Sequence, residues 1–385
     1  MKLIHTADWH LGRALHGANL IEDQAYLLDQ FVDLVRQEQP DAVLIAGDVY
    51  DRAVPPGDAV DLLDETLCRL AQDCGTQVVV IAGNHDSPTR LNFASRMLRS
   101  CGVHILGVPT CSPQPVTLAD DHGPIHVYPL PYAEPAVIRH QADLPDLRGH
   151  SEAMVHLMQG IRAGHQENQR AIAVAHCFVG GGQESESERP LSVGGAGAID
   201  PAVFDGFDYV ALGHLHRPQS FNGGAVRFSG SLMRYSFSEA KQNKSVSIVE
   251  IDAAGSADIR EIKLTPRRQV RCIEGLLTDV LAGADKDPGR EDYLMVTLTD
   301  TEHIFDAMGK LREVYPNVLH LDRAGLRLAN ASDTPNRADP RKDTELDLFK
   351  GFLEEVTGRE PDEAQLDAFS DVADGARAEQ REATS

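Results

Sequence analysis

A chain of 385 residues, 42% of them hydrophobic, has material for more than one core and exceeds an ordinary single domain, so two domains with an appendage are expected. Its 36 basic residues against 59 acidic ones leave a formal charge of −23, which excludes a protein that coats nucleic acid through broad positive charge; a polyanionic substrate must meet local cations. Six cysteines without a CxxC pair, and the lack of any apolar run of ~18 residues, lead us to expect a cytoplasmic protein with reduced thiols and no membrane association.

Leu3 and Ile4 begin a strand that runs into Asp8 and His10. Residues 20–39 place Leu27, Leu28, Phe31, Leu34 and Val35 at steps of three and four, which predicts an amphipathic helix ended by Pro40. A second strand at 42–46 leads into Gly47 and Asp48, with Asp51 close behind. After a helix over about 58–71, the β-branched run at 77–82 predicts a buried strand and delivers Gly83, Asn84, His85 and Asp86 to its carboxyl end. Ser87 and Pro88 are expected to cap and open a helix reaching Arg99.

From about residue 103 this β-α-β-α-β order gives way to short strands broken by prolines, with a helix near 154–162. Two further apolar runs, 171–175 and 209–212, end at His176 and at Gly213, His214, Leu215 and His216. Between them the glycine-rich stretch 180–197, carrying Glu184, Glu186 and Glu188, reads as a mobile rim. The first domain is expected to span 1–265. A restart at Pro266, with strands at 270–273, 293–298 and 318–321 and a helix at 303–314, predicts a small α+β capping domain over 266–330. A polar linker at 331–342, a helical hairpin at 343–375 and a flexible tail at 376–385 complete the expected order.

Five strands thus deliver Asp, His and Asn to one edge, the edge where open α/β sheets bind ligands. Asp8, His10, Asp48, Asn84, His176, His214 and His216 are seven oxygen or imidazole donors with no thiolate, a set suited to manganese, iron or zinc-like ions. They are too many for one tetrahedral site but fit two divalent ions that share a carboxylate, and Asp48 is the natural bridge. With only two carboxylates among the donors the loaded site stays positive and binds phosphate; paired ions activate water and clamp both oxygens of an in-line displacement. His85, beside Asn84, is expected to face the substrate as general acid. Asp51 and Asp86 are expected to orient histidine ligands.

Asp-x-His, Gly-Asp-x-x-Asp, Gly-Asn-His-Asp, a later isolated His and Gly-His-x-His, in this order, resemble the signature of the calcineurin-like metallophosphoesterases. The blocks from His5 to Arg13, around His176 and Cys177, and around His214 resemble more closely the bacterial SbcD-type nuclease subunits, relatives of the double-strand-break repair nucleases. That resemblance spans nearly the whole chain. It implies an α/β fold with a mixed two-sheet β core flanked by helices, a small capping domain and a carboxyl-terminal helical hairpin. It also implies a Mn²⁺-dependent 3′-to-5′ exonuclease and endonuclease on DNA ends and hairpins, Mg²⁺ being another possible ion. The implied partner is an SbcC-type SMC-like ATPase, in a heterotetramer built on a homodimer. By position it carries one metal over to Asp8, His10, Asp48 and His216, the other to Asp48, Asn84, His176 and His214, and the general acid to His85.

Against the acidic composition, Arg13, Arg52, Arg90, Arg96 and Arg99 are expected to form a basic rim for DNA. In the tail, Leu346, Phe349, Phe352, Leu353 and Val356 on one helix and Leu366 and Phe369 on a second, opened by Pro361, are expected to dock on the partner. The rival reading is a metallophosphoesterase acting on small nucleotides or phosphoproteins, which shares the donors and differs in their surroundings.

Overall fold

The computed structural model describes residues 1–166, 169–189 and 197–324, with Leu346, Phe349, Lys350, Leu353, Pro361, Asp362, Gln365, Leu366, Ala368, Phe369 and Val372. In chain order its elements begin with β1 (Lys2–Thr6), the short pair β2 (Ala14–Leu15) and β3 (Ala18–Asn19), α1 (Ile21–Glu38), β4 (Ala42–Ala46), α2 (Gly57–Cys68) and β5 (Gln77–Ile81). Next come α3 (Pro88–Leu91), α4 (Ser95–Leu98), β6 (Val103–Leu106), β7 (Val116–Asp120), β8 (Gly123–Leu130), α5 (Pro135–Ala142), α6 (Gly149–Gly164) and β9 (Arg170–His176). The last group is β10 (Tyr209–Gly213), β11 (Gln219–Phe221), β12 (Val226–Phe228), β13 (Val246–Ile251), β14 (Ala257–Ile262), β15 (Val270–Gly275), α7 (Leu277–Gly283), β16 (Tyr293–Leu298), α8 (Ala307–Val314) and β17 (Val318–Arg323).

Two six-stranded sheets, ordered β14-β13-β1-β4-β5-β6 and β11-β12-β10-β9-β8-β7, carry the fold. Strand alternation explains why they stack. In β4, Ala42, Leu44 and Ala46 face the core between the sheets while Val43 and Ile45 face the core under α1; in β9, Ile172 and Val174 face the inter-sheet core while Ala171, Ala173 and Ala175 face the α6 side. Both faces of the central strands are buried, so they read as unbroken apolar runs. Each fully buried Val, Leu or Ile contributes roughly 1.5–3 kcal/mol.

The register aligns the carboxyl ends. Thr6 pairs opposite Ile45 and Ala46 opposite Ile81 in the first sheet, and His176 pairs opposite Gly213 in the second. The two sheets also close on each other at this end, where a Cβ on Gly213 would stand 1.9 Å from the Ala46 carbonyl oxygen, and within the first sheet a Cβ on Gly83 would stand 2.1 Å from Asp48 Oδ1. Only glycine fits at such an approach.

Local departures from the expected elements have physical causes. The helix expected from Pro88 to Arg99 is broken into α3 and α4, because Ala94 takes a left-handed conformation (φ 57°) and Asn92 Oδ1 accepts the Gly107 N–H at 3.2 Å. Ser87 makes no cap hydrogen bond there. The three-stranded sheet β15-β16-β17 lies largely in the same compact unit as the two large sheets: one unit comprises Met1–Thr297 with Asp306–Asp322, the other Leu298–Phe305 with Arg323–Ser385. Val270 and Tyr293 join the core that holds α1, and Asp23 on α1 accepts Arg268 Nη1 at 3.0 Å and the Tyr293 hydroxyl at 2.8 Å.

In the second unit the Phe349 and Phe369 rings stack with centroids 4.1 Å apart. Asp362 and Gln365 exchange hydrogen bonds of 3.0 and 2.9 Å, a capping box that puts the N-cap at Asp362 and leaves Pro361 just outside the helix. The 331–342 linker, Phe352, Val356 and the 376–385 tail lie outside the described residues.

Candidate metal centre

Four of the expected donors sit in backbone conformations that L-residues rarely adopt: Asp8 (φ 54°), His10 (φ 45°), Asp48 (φ 49°) and His214 (φ 111°). Strain of this kind costs on the order of 1–3 kcal/mol per residue and persists only where neighbours over-determine it. Here they do. Asp8 N–H donates to the Gly47 carbonyl at 3.0 Å, His10 N–H to the Asp48 carbonyl at 2.9 Å, and His214 N–H to Asp8 Oδ1 at 2.9 Å. Gln24 supports the same loop from α1, its amide donating to the carbonyls of Trp9 (3.1 Å) and His10 (2.8 Å) while its oxygen accepts Gly12 N–H.

All seven donors gather in one place. Ligand-capable atoms of Asp8, His10 and His216 converge in one group, those of Asp48, His176 and His214 in a second, and those of His10, Asp51 and His85 in a third. Asp48 Oδ2 links the first two, standing 3.6 Å from His10 Nε2 and 3.5 Å from His176 Nε2. Asn84 Oδ1 lies 2.9 Å from His176 Nε2 and 3.2 Å from His214 Nδ1.

The hydrogen-bond pattern shows what these atoms await. His176 Nδ1 faces the Ala46 carbonyl at 2.9 Å and must carry the proton, so its Nε2 presents a lone pair towards Asn84 Oδ1, itself an acceptor. His216 and His10 direct their Nε2 atoms at each other across 3.0 Å. His214 Nε2, His10 Nδ1 and Asn84 Nδ2 are buried without a hydrogen-bond partner. The His176 Nε2 lone pair against Asn84 Oδ1, and the facing Nε2 atoms of His10 and His216, converge in a dry pocket that suits cations, and the donor set fits two divalent ions.

Electrostatics agree. Burial, and then the Asp48 charge beside it, push the Asp8 carboxyl well above its ordinary range. For Asp48 burial also pushes upward, but attraction to His176, His10 and His85 outweighs it and the carboxyl falls below its usual range. Burial lowers His10, His176 and His214, and takes His216 down to about 3, so near neutral pH these imidazoles are uncharged and free to ligate, and their pull on Asp48 belongs to the acid range where they carry protons.

His85 is half-buried and lies outside the first two groups, its ring edge-to-face with that of His10 at 4.7 Å between centroids. Its Nδ1 lies 2.7 Å from the Asp51 carbonyl oxygen, which can only accept, so Nδ1 carries a proton and Nε2 is left to exchange one. Its N–H also donates to Asp48 Oδ1 at 2.9 Å. Asp51 Oδ1 lies 3.5 Å from His10 Nδ1. Asp86 differs from its expectation: its carboxylate meets no histidine but accepts the N–H groups of Val49 (3.1 Å), Tyr50 (2.9 Å) and Gly83 (2.8 Å), tying the Asp48 loop to the Asn84 loop. Three backbone donors need an acceptor at that point, and a short carboxylate fills it.

Arg13 also departs from expectation. It turns inward, donating to Asp51 Oδ1 at 3.1 Å and to the Ser187 carbonyl at 2.8 Å, with its guanidinium over the Tyr235 ring. Arg52, Arg90, Arg96 and Arg99 are exposed. The stretch expected as a mobile rim is anchored over its described part: Ser187 and Glu188 are buried, and Glu188 Oε1 accepts the His216 N–H at 2.5 Å. Residues 190–196 lie outside the described residues. Sequence reading missed Ser187, Glu239, Lys244 and Gln24, which touch the donors from far along the chain; only the acidic character of the 184–188 stretch hinted at one of them.

In comparison with known proteins, the calcineurin-like phosphoesterase family matches residues 1–218, and a family described as the type 5 capsule protein repressor C-terminal domain matches residues 266–357. The chain is 37% identical over 358 residues to the SbcD subunit of the SbcCD nuclease of Staphylococcus saprophyticus subsp. saprophyticus, covering 93% of this chain and 94% of that protein. Among solved structures it is similar to a dimetal phosphatase from Danio rerio at a TM-score of 0.40 with 14% identity, covering 69% of this chain and 99% of that one. It is similar to a Thermus thermophilus protein at 0.40 with 13% identity, covering 68% and 98%.

Burial pushes the Glu188 carboxyl up from 4.5 to about 7. A raised folded-state value means that the folded chain holds this proton more tightly than the unfolded one; the resulting stability is full below pH ~4.5 and is lost as pH rises through ~7. With chelator present, the melting-temperature advantage of wild type over Glu188→Gln should therefore shrink between pH 4.5 and 7.5. An advantage that grows over this range would contradict the assigned burial effect.

Proposed function

Because the chain belongs to the calcineurin-like phosphoesterases and, among them, to the SbcD family of nuclease subunits, we propose that it hydrolyses DNA phosphodiesters, as a double-strand 3′-to-5′ exonuclease and a single-strand and hairpin endonuclease in repair, replication and recombination. The observation that carries this reading is the meeting of Asp8, His10 and His216 with Asp48, His176 and His214 around Asp48 Oδ2, beside an imidazole that stays outside the donor sets of both. When bound, two divalent ions, Mn²⁺ in our reading, supply positive charge for the phosphate oxygens and lower the pKa of water.

The residues of the chain do the rest. Asp8, His10, Asp48, Asn84, His176, His214 and His216 would hold the ions, Asp48 standing where the two donor groups meet. His85, its Nδ1–H committed to the Asp51 carbonyl, offers Nε2 to carry a proton to the leaving oxygen. Asp51 and Arg13 hold the His10 side of the site in place, and Asp86 fixes the two loops that present Asp48 and Asn84. Exclusion of water from the buried carboxylates strengthens every electrostatic contact there.

The partner, in this reading, is an SbcC-type SMC-like ATPase, as the name of the staphylococcal relative suggests, with DNA as the shared substrate and the cytoplasm as the compartment. The described residues contain no helix long and apolar enough to cross a membrane. Leu346, Phe349, Leu353, Leu366 and Phe369 would form the docking face, supported by the Phe349 and Phe369 stack that joins the two tail segments. The net charge of −23 favours an arrangement in which the ATPase supplies much of the DNA backbone contact, the exposed Arg52, Arg90, Arg96 and Arg99 adding to it.

His85→Ala should leave metal binding intact and cut Mn²⁺-dependent cleavage of hairpin DNA by ~10²–10⁴ in turnover. Cleavage at the wild-type rate would remove His85 from the reaction, and hydrolysis of a small diester by wild type without any DNA cleavage, ATPase subunit included, would favour the small-substrate rival. Deleting residues 340–385 should spare small-diester hydrolysis and abolish co-purification with the ATPase subunit. Undiminished association would contradict the docking assignment.

A further inference from the structure

His216 is gripped at every polar atom but one. Its N–H donates to Glu188 Oε1 at 2.5 Å, and its carbonyl accepts Lys244 Nζ at 2.6 Å and Ser231 N–H at 3.1 Å. Its Nδ1 lies 2.6 Å from Ser187 Oγ. The Ser187 hydroxyl donates to Glu239 Oε1, whose other oxygen accepts Lys244 Nζ at 2.5 Å. These side chains are buried: Glu239 is 0% exposed and Lys244 7%.

The directions of these bonds leave a single solution. Glu239 pairs with the Lys244 ammonium at 2.5 Å, and its Oε1 also stands 3.4 Å from His216 Nδ1, so its carboxylate acts as acceptor towards both. Ser187 spends its hydrogen on that carboxylate, and its oxygen must then receive the His216 Nδ1–H. The Nε2 lone pair of His216 is thereby aimed at the point where Asp8 and His10 converge, 3.0 Å from His10 Nε2. No comparable relay reaches His214, whose Nε2 is buried without a partner.

We propose that Ser187 and Glu239 are positioning residues which lock His216 in its Nδ1–H tautomer and so set divalent-metal affinity at the Asp8, His10 and His216 group. Lys244 compensates the Glu239 charge, and Arg13 pins the loop that carries Ser187 through the Ser187 carbonyl. Partners of this kind raise the basicity of a histidine ligand and remove the cost of orienting it; their loss weakens metal binding by ~10–100-fold. The inference rests on the divalent-metal reading above and extends it to a loop whose sequence carries no ligand motif.

Ser187→Ala removes one hydroxyl and leaves the Glu239 and Lys244 pair intact, which makes it the sharpest test. Calorimetric titration of the full chain with Mn²⁺ should show one of two sites weakened about tenfold or more while the other is unchanged. In the metal-free protein, ¹⁵N spectra of labelled histidine should show one imidazole losing its fixed Nδ1–H tautomer, a signature that a merely structural hydroxyl would not move. Mn²⁺ affinities within about twofold of wild type at both sites, or an unchanged tautomer pattern, would overturn the proposal. If Ser187→Ala does not fold, the paired variant Glu239→Leu with Lys244→Met removes the acceptor without stranding a buried cation and must show the same selective loss; two wild-type affinities there would overturn the proposal equally. Absence of Mn²⁺ binding by wild type would instead sink the metal-site reading itself.

Discussion

Two carboxylates, Asp8 and Asp48, are shut away from water at the seam where the two sheets meet, each 2% exposed or less. An ionised carboxylate in such a place is strongly disfavoured unless opposite charge compensates it. The protein supplies little of that charge itself. The imidazoles beside them are driven neutral by burial, and Lys244, whose charge reaches Asp8, is bonded to Glu239. The seam thus gathers buried carboxylates and neutral imidazoles of the kind that suits cations, on loops held by their own backbone hydrogen bonds.

The supporting structure shows how the deficit is held open. Parallel strands bring Thr6 level with Ile45 and Ala46 level with Ile81, and set His176 opposite Gly213 in the second sheet. Gly213 lets the two sheet ends approach, and Gly83 lets the Asp48 and Asn84 loops approach, to distances that a side chain would forbid. Left-handed backbone at Asp8, His10 and Asp48 then turns the side chains into the gap. The strain is offset by the apolar layers on either side, which make the sheet ends rigid. Stability is given up locally at the place where chemistry needs geometry.

Much of this was legible in the sequence because it is local. A β-branched run followed by a polar group identifies a buried strand with a functional end, and five such runs gave the donor set and its order. The break between α3 and α4 was not legible, since it depends on Asn92 reaching Gly107 across the fold. Nor were the inward turn of Arg13 or the burial of Ser187 beside His216, contacts that join positions 174 and 29 residues apart. Asp86 shows the same limit: a carboxylate next to a ligand motif suggests a histidine partner, whereas three unpaired backbone N–H groups had the stronger claim on it. Periodicity reports which face of an element is buried. It does not report which distant polar group will be left needing a partner.

The proposed sharing of Asp48 between two ions makes a demand that a pair of independent sites would not. Ions that share a carboxylate oxygen lie ~3.5–4 Å apart and their unpaired electrons couple magnetically. Electron paramagnetic resonance of the full-length chain loaded to saturation with Mn²⁺ reads this directly. Two ions per chain with an exchange-coupled spectrum are the result expected here; a spectrum of isolated Mn²⁺ at full loading, or saturation at a single ion, would contradict the shared-carboxylate centre.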